Sequence, residues 1–205
     1  MLNVAASDLK TDLIRQVLGA SHIFCSTVTE LMERTLDEVS PSRLALSQFR
    51  LLLLIDRPSK RFMVSDVAEI MGVTPAAASR STDRLVQRGL IKREVSPDDR
   101  RAVQLSLTEE GEEFLERVKD ASDRHLTEAL GDYDDEQLEE LSALLDELAV
   151  RLLNLDAART ERCLRCGVHF RDGCIMRQVL GRSCIFSERL YGSSASEAGS
   201  EERAS

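Results

Sequence analysis

Apolar residues recur at three- and four-residue spacing from the start of the chain. Leu9, Leu13, Val17, Ala20, Phe24, Val28, Leu31 and Thr35 fall on one stripe with charges between them. That period predicts a long helix from about Asp8 to Val39. Pro41 interrupts it, and Ser47-Gln48-Phe49 leads a second helix through Leu54 before the breaker Arg57-Pro58-Ser59. A short helix follows, with Ser65 expected as its N-cap and Val67, Ala68 and Ile70 expected to face inward. Met71-Gly72-Val73 reads as a tight turn. Thr74-Pro75 then offers a capping hydroxyl followed by proline at the first helical position. This fourth helix is expected to run to Arg88 and stop at Gly89, a residue that tolerates the left-handed conformation.

The period then changes from helix to strand. Leu90 to Val95 and Ala102 to Leu107 form two short strands, the second alternating apolar and polar, around the polar tip Ser96-Pro97-Asp98-Asp99-Arg100-Arg101. Thr108 caps a long helix to about Leu130. Asp134, with Gln137 three residues on, makes a capping box for a last helix from Asp135 to about Leu155. There Leu138, Leu141, Leu144, Leu145, Leu148, Leu152 and Leu155 form an apolar stripe. The fold class is therefore mainly α with a small β-hairpin: a winged helix-turn-helix whose N- and C-terminal helices carry more apolar surface than one small core needs. Their expected use is to pair with a second copy. Residues 192–205, rich in Ser, Ala, Glu and Gly, are expected to be disordered.

Charge sharpens this picture. The formal net charge is −9, yet between Arg57 and Arg101 ten Lys/Arg stand against six Asp/Glu, a local +4 that leaves −13 for the rest. A basic segment inside an acidic chain is a footprint for phosphates, because the local field governs contact. The longest apolar run, Leu51 to Ile55, is far too short to span a bilayer, and the N-terminus lacks a secretory pattern. Cytoplasmic residence and no membrane partner are the expectations.

A helical wheel places Ala78, Ser81, Thr82 and Leu85 inward, with Ala76, Ser79, Arg80 and Asp83 opposite. Small residues at Ala76, Ala77 and Ser79 let a helix backbone approach base edges, and Arg80 can present its fork to a guanine. Thr74 sits where free N–H groups could hold a phosphate. Arg84 and Arg88 lie round the side, suited to the DNA backbone. On the hairpin tip, Arg100 or Arg101 could enter a narrow minor groove, with Asp99 holding such an arginine in place.

The stretch from Leu46-Ser-Gln-Phe49 through Val64-Ser-Asp-Val-Ala-Glu-Ile-Met-Gly72, Leu85-Val-Gln-Arg-Gly-Leu-Ile91 and Pro97-Asp-Asp-Arg-Arg101 to Leu107-Thr-Glu-Glu-Gly111 resembles the MarR family of transcription regulators. The resemblance covers roughly residues 8–155, with a DNA-binding core at about 41–108. It implies a homodimer with interlocked terminal helices that reads a pseudo-palindromic duplex, usually as a repressor, and that responds to a small-molecule effector or an oxidant. It puts Ala76, Ser79 and Arg80 on the recognition helix and Asp99, Arg100 and Arg101 on the wing. No Ser/His/Asp grouping or phosphate-binding glycine loop appears in the chain, so no enzymatic activity is expected.

Residues 156–191 extend past that resemblance. Cys163, Cys166, Cys174 and Cys184 crowd into 22 residues with spacing C-x2-C-x7-C-x9-C. Four thiolates suit tetrahedral zinc or an iron–sulfur cluster, and His169 could replace one of them. Seven arginines against three acids between Arg159 and Arg189 would offset the negative charge of such a site. A metal-free dithiol at Cys163 and Cys166, and four reduced thiols with no role, stay open beside the metal readings. Cys25, three residues after His22, reads as a small core residue or a redox-sensing thiol. The competing functions are a thiol–disulfide redox protein, which no βαβ unit supports, and an adaptor whose winged domain docks protein.

Overall fold

The computed structural model describes residues 3–40, 43–56, 62–95, 103–153, 162–163, 175 and 183–184. Among the described residues six helices and four strands run in the order α1 (Asn3–Val39), α2 (Leu46–Ile55), α3 (Val64–Met71), α4 (Pro75–Gln87), β1 (Ile91–Val95), β2 (Val103–Leu107), α5 (Glu109–Leu130), α6 (Asp135–Leu153), β3 (Arg162–Cys163) and β4 (Ser183–Cys184). The mainly helical class with one antiparallel hairpin is as the periodicity predicts. The chain divides into two compact units, Met1–Leu46 and Ser47–Ser205.

In the first unit, α1 spans 37 residues. Hydroxyls that would otherwise disturb it are absorbed locally: Ser21, Thr27, Thr29 and Thr35 each donate to the carbonyl four residues earlier, at 2.8–2.9 Å. Thr35 and Leu36 are buried, whereas Leu13, Val17, Phe24 and Val28 stand exposed on the stripe. Cys25 is exposed, so its expected core position does not hold.

The second unit holds the core. Phe49, Leu51, Leu52, Leu54, Phe62, Val67, Leu85, Ile91, Leu105 and Val118 are essentially inaccessible to solvent. At about 25 cal/mol per Å² of apolar surface removed from water, each such side chain contributes roughly 1.5–3 kcal/mol before conformational entropy is charged against it. Each surrounding element presents the face its sequence pattern assigns. In α5 the buried positions are Gly111, Phe114, Leu115, Val118, Ala121 and Ser122, one helical stripe. In α6 the leucine stripe is only partly covered: Leu138 and Leu148 are half-buried, Leu144 is 65% exposed, and Leu141, Leu145 and Leu152 are exposed as well.

The hairpin pairs Ile91 with Leu107, Arg93 with Leu105 and Val95 with Val103. Phe62 adds an isolated antiparallel bridge to Leu105, whose N–H donates to the Phe62 carbonyl at 2.8 Å. Three chain segments thus meet at β2, and the segment before α3 is fastened to the hairpin. The α6 capping box forms in both directions: Asp134 N–H donates to Gln137 Oε1 at 3.0 Å, and Gln137 N–H to Asp134 Oδ1 at 2.9 Å. A second small sheet, β3 with β4, is parallel. No periodicity had indicated it. Among the described residues no helix is long and apolar enough to cross a membrane.

Candidate nucleic-acid interface

The two helices of the helix-turn-helix are set by local chemistry at their ends. α3 begins at Val64 rather than after Ser65. The Asp66 carboxylate accepts from the Met63 N–H at 2.9 Å, which moves the expected start back two residues. It ends at Gly72 (φ +64°), where the Gly72 N–H bonds to the Glu69 carbonyl and the Val73 N–H to the Ala68 carbonyl. This paired pattern closes the last turn and requires the left-handed residue that glycine supplies without strain. Thr74 then caps α4, its hydroxyl accepting from the Ala77 N–H at 3.2 Å, with Pro75 in the first turn. The same closure recurs at the far end: the Gly89 N–H (φ +72°) bonds to the Val86 carbonyl and the Leu90 N–H to the Leu85 carbonyl. Both stops fall where the sequence placed them.

Between these ends α4 is sharply two-sided. Ala78, Thr82 and Leu85 are buried, and the Thr82 hydroxyl donates to the Ala78 carbonyl at 2.8 Å, so no polar group is stranded inside. Thr74, Ala76, Arg80 and Arg84 are exposed; Ala77, Ser79 and Arg88 are half-buried. The outer surface therefore joins an open N-terminal turn, a short small-residue stretch and two projecting guanidinium groups. Arg88, at the C-terminal cap, is less available than Arg84. Gln87 is exposed seven residues after Arg80, hence on the same side, a member that residue-type reasoning passed over although the spacing contained it.

Asp83 has a different role from the one its wheel position suggests. Its carboxylate accepts from the Arg93 guanidinium at 2.6 Å, tying the outer side of α4 to β1. On β1, Lys92 pairs with Glu94 at 2.9 Å, and the Ser106 hydroxyl donates to Glu94 at 2.8 Å. The hairpin base is buried through Ile91, Leu105 and Leu107, while Val95 and Val103, paired at its open end, are exposed. Asp99, Arg100 and Arg101 at the tip lie outside the described residues.

Of the cysteine extension, Cys163 and Cys184 are described at the backbone level, while Cys166, His169 and Cys174 lie outside the described residues. Among the described residues no three metal-ligating side chains form a group.

A family model described as the MarR family matches residues 44–102, the segment that holds α2, α3, α4 and β1. The chain is 34% identical over 103 residues to the uncharacterized HTH-type transcriptional regulator YhbI of Bacillus subtilis, covering 50% of this chain and 64% of that protein, under two thirds of its length. It is 28% identical over 132 residues to the HTH-type transcriptional regulator PecS of Dickeya dadantii, covering 63% and 80% respectively. Among solved structures, YusO of Bacillus subtilis superposes with a TM-score of 0.57 at 24% identity, covering 68% of this chain and 96% of that one. That structural likeness concerns the fold.

Proposed function

We propose that the chain is a transcription regulator of the MarR family that binds a pseudo-palindromic DNA duplex as a homodimer and represses transcription from that site. The observation that carries the reading is the outer surface of α4. Arg80 and Arg84 project from a helix whose opposite side is buried, and whose first turn is capped by Thr74 and flanked by the small side chain of Ala76. A helix of this kind can lie in the major groove, about 12 Å wide, with Ala76, Ala77 and Ser79 allowing close approach. Arg80 reads a base edge. Thr74, Arg84 and Arg88 hold phosphates, using the positive end of the helix and the guanidinium charges. Arg100 and Arg101, steadied by Asp99, serve the adjoining minor groove.

Dimerisation follows from α1 and α6. Leu13, Val17 and Phe24 on one helix and Leu141, Leu144 and Leu145 on the other remain exposed in the single chain. An exposed apolar stripe on each of these helices supports an interaction site, and pairing of like chains about a two-fold axis yields the twofold repeat of a pseudo-palindrome. A small-molecule effector acting on the dimer is part of this reading.

Fluorescence anisotropy against a duplex selected from random sequence tests it. Arg80→Ala should weaken the selected site by roughly 1–3 kcal/mol and flatten the preference at one base pair. Purified protein that, at low salt and with bound effector removed, prefers no duplex over single strands would end the DNA reading. Unchanged transcription in vitro from the selected promoter would end the repressor assignment.

A further inference from the structure

On α4 the line of side chains opposite the buried Ala78, Thr82 and Leu85 runs through Ala76, Arg80 and Asp83, at i, i+4 and i+7. Chemically the three are a bare methyl, a guanidinium and a carboxylate. Ala76 and Arg80 are exposed, and Asp83 is half-buried. A carboxylate one turn from Arg80 could pair with that guanidinium, or accept from the amino group of a cytosine. Arg93 on β1 takes it instead, donating to Asp83 at 2.6 Å. Arg80 is thereby left with no acidic partner among the described residues, and its fork faces outward four residues beyond the Ala76 methyl.

We infer that Ala76 meets the C5-methyl group of a thymine while Arg80 holds the O6 and N7 atoms of a guanine, so that each half-site carries these two bases about two base pairs apart. The inference rests on the reading of α4 as the helix that enters the major groove. Its spacing follows from two lengths. Four residues advance an α-helix by about 6 Å, and successive bases stand about 3.4 Å apart along a duplex strand. Thymine alone among the four bases carries a methyl group in the major groove, and the alanine methyl gives it apolar contact. Guanine alone offers there the two adjacent acceptors that fit a guanidinium fork. Asp83, already occupied by Arg93, adds no preference for cytosine.

The full-length protein first selects its duplex from random sequence. Single thymines of the selected site are then replaced by uracil, which lacks only the methyl, and single guanines by 7-deazaguanine, which lacks the N7 acceptor. Binding is followed by fluorescence anisotropy. One uracil per half-site should weaken binding about fourfold, the worth of one buried methyl. One 7-deazaguanine, about two base pairs away, should weaken it about fivefold or more. Ala76→Gly should bind uracil and thymine alike and keep the guanine effect, and Arg80→Ala should do the reverse. Each comparison is made within one variant, so any loss of folded protein cancels. Uracil tolerated at every position, or a uracil penalty that persists in Ala76→Gly, overturns the inference while the DNA reading stands. Should a variant fail to fold, the native protein decides: sensitive bases more than three base pairs apart overturn it. A protein that prefers no duplex over single strands ends both.

Discussion

The junction between α4 and α5 turns on Gly111, and substituting it gives a sharp test. The Leu90 carbonyl, one residue past the left-handed Gly89, accepts the Thr108 N–H at 3.2 Å. Thr108 also donates its hydroxyl to the Gly89 carbonyl and accepts from the Gly111 N–H at 3.1 Å. A Cβ on Gly111 would stand 2.1 Å from the Leu90 oxygen, 3.1 Å from its carbon and 3.4 Å from Leu107 Cδ2. Two of these three neighbours are backbone atoms and cannot rotate away. Relief requires a shift on the order of 1 Å in the segment that enters β1, an overpacking cost of about 1–3 kcal/mol. Disturbing the Thr108–Leu90 hydrogen bond adds about 1 kcal/mol. Replacing glycine within a helix returns at most ~1 kcal/mol. Gly111→Ala should therefore destabilise the protein by about 1–3 kcal/mol, taking these terms together. Gly19→Ala isolates the helix term, because nothing lies within 4 Å of a Cβ built there, and it should stabilise by up to ~1 kcal/mol. Urea unfolding followed by circular dichroism, at one protein concentration, reads both as midpoint shifts at constant slope. A Gly111→Ala protein as stable as the native chain would refute the close approach.

Thr74→Ala removes the cap of α4 and should cost about 1 kcal/mol in the same unfolding experiment, with a parallel loss of duplex affinity; unchanged affinity would exclude Thr74 from the phosphate contacts. Phe24→Asp and Leu144→Asp place a charge on the exposed stripes of α1 and α6 and should shift sedimentation toward a monomer while helix content is kept. A native protein that already sediments as a monomer at micromolar concentration would remove the dimer from the reading.

Much of the fold was legible because its boundaries depend on nearest-neighbour chemistry. Thr74-Pro75, Gly72, Gly89, Thr108 and the Asp134–Gln137 pair each act within four residues, so the chain states them directly. The start of α3 was misplaced for a related reason. Ser65 looks like a cap, but the Asp66 carboxylate reaches back to Met63, and both residues are permissible signals. The Phe62–Leu105 bridge and the β3–β4 ladder were not legible, because each joins distant segments over one or two residues, too short for any period to register. The outer surface of α4 was read from its spacing, while the Asp83–Arg93 pair was missed. Asp83 and Arg93 lie ten residues apart across a change from helix to strand, where no helical wheel applies.

That pair also explains how a chain of net charge −9 can present a cationic surface. Asp83 stands on the outer side of α4, where a bare carboxylate would repel phosphate, but Arg93 occupies it at 2.6 Å. Both side chains are more than a third exposed, so the bridge contributes only about 0.2–1 kcal/mol to folding. Its consequence is electrostatic: a potential repulsion is cancelled at its source, and β1 is tethered to the helix it must accompany. Lys92 is likewise engaged by Glu94. Among the described residues no ion pair engages Arg80 or Arg84, so their charge is available to a ligand. The acids that make the protein negative lie largely elsewhere in the sequence, as on α5 and α6. Exposed charges beyond about 8 Å are largely screened at physiological ionic strength. The sign of the field at this helix is thus decided by which neighbouring ions are already paired.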